Sequence, residues 1–138
     1  MITISQLVDD CCQYVRLEGK FNIITKGDTT LRAFADANQI NQVLVNFINN
    51  AIKYASGSKD INVYIEKVHN MAKVSVSDEG LGIPSEKIPH LFERYYQVDK
   101  NGFQYSGLGL GLYISAEIIK RHNGQIGVDS EMGKGSTF

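Results

Sequence analysis

The sequence predicts an α+β fold, a two-layer α/β sandwich in which a mixed sheet of about five strands is covered on one face by about three helices. Two observations support this prediction. Three segments repeat apolar residues at helical spacing, and shorter segments between them alternate apolar and polar residues as strands do. The alternating segments come in neighbouring pairs, which favours strands that pair locally.

The N-terminal half is predicted to hold two helices and two short strands. Residues 1–18 carry the first helix, and Gly19 follows as a stop signal. The segments "FNIIT" and "LRAFA" flank "KGDTT", which predicts two strands around a turn. Asp36 or Asn38 is placed to cap the second helix, which contains "NQVLVNFINNAIKY" at 41–54.

The C-terminal half is predicted to contain a hairpin, a loop and a third helix. "INVYIEKV" and "AKVSVSD" alternate around His69 and Asn70, which predicts the hairpin. A short helical stretch lies near "SEKIPHLFERYY", and residues 97–107 lack periodicity, as a mobile loop does. "LGLGLYISAEIIKRH" predicts a helix that ends at Asn123 and Gly124. "QIGVDSE" is the next strand, and "MGKGSTF" begins a last strand that residue 138 truncates.

The composition is that of one soluble domain spanning residues 1–138. Hydrophobic residues make up 43% and charged residues 21% of the chain, which excludes a disordered protein. The net charge of -1 gives no electrostatic reason to expect nucleic acid as a partner. Cys11 and Cys12 are adjacent, so they offer no disulfide framework and favour a reducing, cytoplasmic setting. No apolar run is long enough to span a bilayer.

A stripe of side-chain amides marks the second helix. At about 100° per residue, Gln42, Asn46, Asn49, Asn50 and Lys53 project from one side, opposite an apolar face. A solvated face is the ordinary alternative, although asparagine is a poor helix former. Amide oxygens are hard, neutral ligands that suit Mg²⁺ sharing the charge of a triphosphate. We therefore expect a Mg²⁺-nucleotide site on this face.

Two glycine segments strengthen that expectation. In "DEGLGIP", Gly80 and Gly82 permit close approach of the backbone to a ligand, and Asp78 is placed to accept a hydrogen bond from an adenine amino group. Alone, this pattern also describes plain turns. "SGLGLGLYI" alternates glycines where a helix begins, which is typical of a phosphate site at a helix N-terminus or of a flexible hinge.

Together these segments resemble the ATP-binding catalytic domain of bacterial sensor histidine kinases, in the superfamily of gyrase, Hsp90 and MutL, whose fold is the Bergerat-type sandwich. The resemblance covers nearly the whole chain, in the expected order. "NQVLVNFINNAIKY" resembles the N box, "DEGLGIP" the G1 box, "LFERYYQVD" the F box and "GLGLGL" the G2 box. "HNGQIGVDSEMGKGSTF" is similar to the closing segment with its G3 motif.

The resemblance implies roles for individual residues. Asn50 would be the Mg²⁺ ligand, with Asn46 one turn earlier near the phosphates. Lys53 and Tyr54 would contact phosphate or nucleotide, and Arg94 would approach the γ-phosphate. The catalytic set would be Asn46, Lys53 and Arg94. The other nucleotide-binding positions would be Asp78, Gly80, Gly82 and Ile83 around adenine, Tyr95 at the base of the ATP lid (97–107), Gly107, Leu108, Gly109, Leu110 and Gly111 along it, and Thr137 in the G3 segment.

Position 46 favours a kinase over an ATPase. The ATPases of the superfamily carry a glutamate one turn before the metal asparagine, where it activates water as a general base. An amide at Asn46 cannot accept a proton at neutral pH. The resemblance therefore implies a protein-histidine kinase that binds ATP and Mg²⁺ and transfers the γ-phosphoryl group to an acceptor supplied from outside.

The acceptor is expected on another domain. None of His69, His90 and His122 begins the acceptor pattern of the family, so surface or cap roles are expected for them. The acceptor histidine would lie on a helical dimerisation domain of the same protein, and a response regulator receiver domain would be a further partner. We expect a monomeric isolated domain, the cytoplasmic part of a membrane-anchored bacterial sensor. The alternatives are a non-catalytic nucleotide-binding module, a serine-phosphorylating anti-sigma-type kinase and a superfamily ATPase.

Overall fold

The helices and strands of the computed structural model follow the predicted order along the chain, except that residues 2 and 3, predicted as part of the first helix, form a short strand. The structure describes residues 2–19, 21–54, 60–80, 82–93, 111–131 and 135–138, without the side chains of Tyr14, Arg16, Glu18, Lys53, Tyr54 and Glu131. The helices are α1 (Ile4–Glu18), α2 (Ala37–Tyr54) and α3 (Gly111–Arg121), with a 3-10 turn at Ile88–His90. The strands are β1 (Ile2–Thr3), β2 (Asn22–Gly27), β3 (Arg32–Ala33), β4 (Asp60–Val68), β5 (Met71–Asp78), β6 (Asp129–Glu131) and β7 (Gly135–Thr137).

Five strands form one mixed sheet in the order β2-β4-β5-β7-β6, which confirms the predicted fold class. β2 pairs parallel with β4, and the other pairs of this sheet are antiparallel. β4 and β5 form the predicted hairpin. Its turn residues His69 and Asn70 have φ angles of 49° and 65°, and positive φ at both positions is what a two-residue turn of this kind requires.

The predicted pairing of the first two strands is wrong. The segments around "KGDTT" do form β2 and β3, but β2 pairs with β4, and β3 joins β1 in a separate two-stranded sheet. β4 offers β2 a full-length partner and places Ile61 beside Ile23 in the core, whereas β3 has only two residues. In the predicted strand "QIGVDSE", only residues 129–131 pair, with β7.

The hydrophobic core lies between the five-stranded sheet and the helices. Successive side chains of a strand point to opposite faces, and in β4 and β5 one set is buried while the other, which includes Tyr64, is largely exposed. The buried members of these two strands are Ile61, Val63, Ile65, Val76 and Asp78. From α2, the ring of Phe47 lies 5.7 Å from the ring of Phe138, centroid to centroid. The helices therefore cover one face of the sheet.

Both predicted helix ends are observed. Asp36, one of the two cap candidates, accepts a hydrogen bond from the N–H of Asn38 at 3.0 Å and so caps α2. After α3, Asn123 has a φ of 58°, and the N–H of Gly124 donates to the carbonyl oxygen of Ile119 at 2.9 Å. Within the described ranges, no helix combines the length and the apolar character needed to cross a membrane.

Candidate functional site

Asp78 ends β5 on the helix-covered face of the sheet, as a buried carboxylate with one unsatisfied oxygen. The residue is 3% exposed. Oδ1 accepts a hydrogen bond from the N–H of Gly80 at 2.9 Å. Among the described residues, Oδ2 is the one buried side-chain oxygen or nitrogen that has no hydrogen-bond partner. Because buried polar groups are almost always hydrogen-bonded, Oδ2 is placed to accept a hydrogen bond from a ligand.

The buried surroundings of Asp78 disfavour the charged form of its carboxyl group when no such ligand is bound. Burial raises the pKa of the carboxyl above its ordinary value, and the backbone N–H groups of Gly80 and Ser136 oppose this rise because they favour the charged form. A ligand N–H donor at Oδ2 would stabilise the carboxylate in the same way as these two backbone groups.

The loop after Asp78 runs towards the far edge of the sheet. Gly82 has a φ of 78°, which glycine adopts without strain. The next residue, Ile83, donates its N–H to Oγ of Ser130 at 2.7 Å. Ser130 lies on β6, two strands away from β5, so the loop spans β7 before it is fastened. The side chain of Ile83, predicted to lie near the nucleotide, is 1% exposed and belongs to the hydrophobic core.

Two serines that the sequence analysis missed connect this loop with Asp78. Ser136 is the register partner of Asp78 on β7 and is 2% exposed. Its Oγ lies 2.8 Å from Oγ of Ser130, which in turn lies 3.0 Å from the carbonyl oxygen of Gly135. One arrangement of hydrogens satisfies every contact of Ser130: it donates to Gly135 and accepts from Ser136 and from the N–H of Ile83.

Thr137, the residue predicted to bind nucleotide in this segment, has its side chain on the opposite face of the sheet. Its register partner is Ser77, and Oγ1 of Thr137 donates to Oγ of Ser77 at 3.0 Å. Since successive side chains of a strand point to opposite faces, the structure brings Ser136, and not the side chain of Thr137, to Asp78. Strand alternation was the available signal, but it identifies the inward residue only when the pairing of β7 with β5 is known.

Gly135 permits the close approach of β7 to the end of β5. Its φ is 113°, and a Cβ atom at this position would lie 2.1 Å from the backbone oxygen of Asp78. A side chain there would therefore displace the carboxylate. A cleft of about 320 Å³ opens at this end of the sheet. It is lined by Ser77, Asp78, Asp129, Ser130, Gly135, Ser136 and Thr137.

The amide stripe of α2 meets the start of α3. Nδ2 of Asn46 donates to the carbonyl oxygen of Gly111 and to Oγ of Ser115, both at 3.1 Å. Ser115 is fully buried and also donates to the carbonyl oxygen of Gly111, at 2.8 Å. Both N–H bonds of the Asn46 amide therefore hold α3 in place. Farther along the stripe, Asn50 is half-buried and Asn49 is exposed.

A second groove, of about 470 Å³, lies between α1 and α2, away from the predicted site residues. It is lined by Leu7, Asp10, Cys11, Ala37, Asn38, Asn41 and Val45. Neither Asp78 nor Asn46 contributes to it, so we place the functional site at the end of β5 and not in this larger groove.

Several predicted site residues lie outside the described part of the chain. They are Arg94, Tyr95, the lid at 97–107, Gly107, Leu108, Gly109 and Leu110, together with the side chains of Lys53 and Tyr54. Gly111 is described, because it opens α3. A Cβ atom at Gly111 would lie 3.7 Å from Cγ of Asn46, an ordinary contact, so packing does not require glycine at this position.

Two of the three histidines, His90 and His122, have structural partners. His122 accepts a hydrogen bond from the N–H of Asp36 at Nε2 (3.1 Å), and its Nδ1 lies 2.8 Å from the carbonyl oxygen of Ile118. This pattern requires a neutral ring with its proton on Nδ1, and it ties the end of α3 to the cap of α2. His90 pairs with Glu93 on the surface. Within the described residues, no group of three or more His, Cys, Asp or Glu side chains is arranged to hold a metal ion.

Comparisons with known proteins agree with this fold. Residues 35–138 match the family described as histidine kinase-, DNA gyrase B-, and HSP90-like ATPase. The chain is 38% identical over 112 residues to the sensor protein kinase WalK of Staphylococcus epidermidis, a match that covers 79% of this chain and 18% of that protein. The chain thus spans about a fifth of the length of such relatives.

Solved structures of histidine kinases have the same fold. The mycobacterial sensor histidine kinase MprB superposes with a TM-score of 0.84 at 20% identity, covering 99% of this chain and 91% of that one. Full-length ShkA in complex with AMPPNP gives a TM-score of 0.84 at 26% identity, covering 99% of this chain and 29% of that one. With its sandwich fold and a family match over three quarters of its length, the chain belongs to the histidine kinase-, DNA gyrase B- and HSP90-like ATPase family and is an ATP-binding domain.

Proposed function

We propose that this chain is the catalytic domain of a two-component sensor histidine kinase, which binds Mg·ATP and transfers the γ-phosphoryl group to a histidine on a separate helical dimerisation domain. The buried, unpaired Oδ2 of Asp78 is the observation that supports nucleotide binding most directly. The resemblance to WalK, which is named a sensor protein kinase, supports the kinase reaction.

Asp78 recognises the adenine base in this proposal. The exocyclic amino group of adenine donates to Oδ2, which would satisfy the unpaired oxygen and stabilise the carboxylate. Gly80 and Gly82 leave room for the base to approach the backbone. Ser136 joins the site because it faces Asp78 across the strand pair, and Thr137 keeps its predicted place because it lines the same cleft.

The phosphates lie along the amide stripe of α2. Asn50 would supply a neutral oxygen ligand to Mg²⁺, and the bound ion would neutralise part of the phosphate charge. The fit is chemical: the described part of the stripe offers hard, uncharged donors, and Mg²⁺ bound to a triphosphate needs few protein ligands. Lys53, Tyr54, Arg94, Tyr95 and the glycines from 107 to 111 keep the phosphate and lid roles that the family resemblance implies.

Asn46 supports phosphoryl transfer over ATP hydrolysis. Its amide cannot act as a general base, and both of its N–H bonds are engaged by Gly111 and Ser115. The domain therefore contributes positioning and charge neutralisation, which are the main requirements for phosphoryl transfer. In this proposal, the partners of the domain are the helical domain that carries the acceptor histidine and the response regulator. The domain works in the cytoplasm.

The test uses the chain together with the helical dimerisation domain of its own protein. Incubation with γ-labelled ATP and Mg²⁺ should put an acid-labile label on a histidine of that domain, and Asp78→Asn should remove the transfer. An acid-stable label on serine would indicate the anti-sigma-type alternative. Tight ATP binding without any transfer would indicate a non-catalytic module, and rapid release of inorganic phosphate alone would indicate an ATPase.

A further inference from the structure

We propose that Ser130 is a positioning residue for adenine recognition: it fastens the loop after β5 and so holds Oδ2 of Asp78 in position for the base. This inference rests on the proposed function, because it takes adenine as the group that Asp78 binds. The proposal gives β6, the edge strand of the sheet, a role in nucleotide recognition through Ser130.

The loop is held at both of its ends. At the first end, Oδ1 of Asp78 accepts the N–H of Gly80 at 2.9 Å. At the second end, the N–H of Ile83 donates to Oγ of Ser130 at 2.7 Å. Gly82, between them, supplies the positive φ that turns the chain. A loop fixed at both ends loses little further freedom when a ligand binds, so its shape is prepared in advance.

A single hydroxyl group joins the loop after β5 to β7. Oγ of Ser130 has one hydrogen and two lone pairs, and its contacts with Gly135, Ser136 and Ile83 use all three. No hydrogen-bonding capacity is left for the nucleotide, so Ser130 acts through the loop and through β7 and does not bind the base itself. Removing the hydroxyl leaves the N–H of Ile83 unpaired and frees the loop.

A purely structural role for Ser130 predicts a different result. If the hydroxyl group only joined β6 to β7, its loss would lower stability and would affect every ligand of the folded protein equally. A positioning role predicts a selective effect, because the loop touches the base and not the phosphates. The affinities for ADP and for inorganic tripolyphosphate separate the two roles.

The experiment measures the binding of ADP and of tripolyphosphate, each with Mg²⁺, by titration calorimetry at a temperature where every variant is folded. Ser130→Ala should weaken ADP binding about tenfold, the effect of one lost, partly buried hydrogen bond, and should change tripolyphosphate binding less than about twofold. Ser130→Thr keeps the hydroxyl group on a strand that suits β-branched residues, and it should restore ADP binding. Ser5→Ala is the matched control, since Oγ of Ser5 also tethers a loop, through the carbonyl oxygen of Thr29 at 2.8 Å, but away from the site.

Hydrogen exchange at Ile83 gives a second, independent measurement. Its amide should exchange slowly in the wild type and faster in Ser130→Ala, both without ligand. Unchanged ADP affinity in Ser130→Ala, or equal losses for ADP and tripolyphosphate, would overturn the inference. The variant Asp78→Asn distinguishes failure of this inference from failure of the proposed function. If that variant binds ADP as well as the wild type does, adenine does not bind at Asp78 and the proposed function itself is wrong.

Discussion

Nδ2 of Asn46 and Oγ of Ser115 lie 3.1 Å apart, and this hydrogen bond joins the amide stripe of α2 to the first turns of α3. Both side chains also donate to the carbonyl oxygen of Gly111, the last glycine of "GLGLG". These bonds therefore fix α2, the helix proposed to hold Mg²⁺, relative to the C-terminal end of the proposed lid. Asn46 is better described as a residue that positions α3 than as one that takes part in proton transfer.

Substitutions at Asn46 test this description. Asn46→Asp should lower the free energy of unfolding more than Asn46→Ala, because carboxylate oxygens cannot donate to the carbonyl oxygen of Gly111 and would face it. We expect a loss of about 1–3 kcal/mol for Asn46→Ala, measured by urea unfolding. Combined with Ser115→Ala, the losses should be less than additive, since the two residues share one network. Fully additive losses would contradict the network.

Asp78→Asn should raise the free energy of unfolding at neutral pH while it abolishes nucleotide binding. Burial raises the pKa of Asp78 in the folded protein, so the folded protein is relatively favoured below the ordinary carboxyl value of 3.8 and loses this stability as the pH rises through the raised pKa. The advantage of asparagine should therefore be full above the raised pKa and should vanish as the pH falls towards 3.8. Urea unfolding at a series of pH values measures it; an advantage that does not depend on pH would contradict the prediction.

Gly135→Ala should lose both stability and ADP binding. Its φ of 113° costs alanine about 1–2 kcal/mol, and the new Cβ would push against the backbone oxygen of Asp78. Gly27→Ala is the matched control. Gly27 has a φ of 108°, and a Cβ atom added to it would lie 2.0 Å from the backbone oxygen of Ile65, at the opposite edge of the sheet. It should destabilise the fold to a similar extent, while its folded fraction binds ADP normally in calorimetry. Equal ADP affinities in the two variants would disprove a role for the β5–β7 contact in binding.

Asn50→Ala should weaken Mg·ATP binding far more than Asn49→Ala. Only Asn50 is assigned to the metal, and the exposed Asn49 serves as the neighbouring control on the same helix. Loss of the one protein oxygen ligand should reduce the affinity for Mg·ATP by at least about tenfold in titration calorimetry. ADP binding measured without Mg²⁺ should change little in either variant. Equal losses of Mg·ATP affinity would refute the assignment of Asn50.

Local sequence patterns determined most of the elements and pointed to the candidate site. Alternation and helical spacing gave the hairpin of β4 and β5 and the three helices, because each pattern is set by the geometry of one element alone. The order of the amide stripe and glycine segments pointed to Asp78 and to the family. These features need only neighbouring residues in the chain to be recognised.

Contacts between distant elements were decided by the tertiary structure. The pairing of β2 with β4, the choice of Ser136 over Thr137 opposite Asp78, and the contact of Asn46 with Ser115 depend on register and packing between segments far apart in the chain. Periodicity tells which side chains share a face of an element, but not which element that face meets, because many pairings bury the same apolar surface. The hydroxyl group of Ser130 binds the N–H of Ile83, which is 47 residues away in the chain, and its proposed role is therefore visible only in the folded chain.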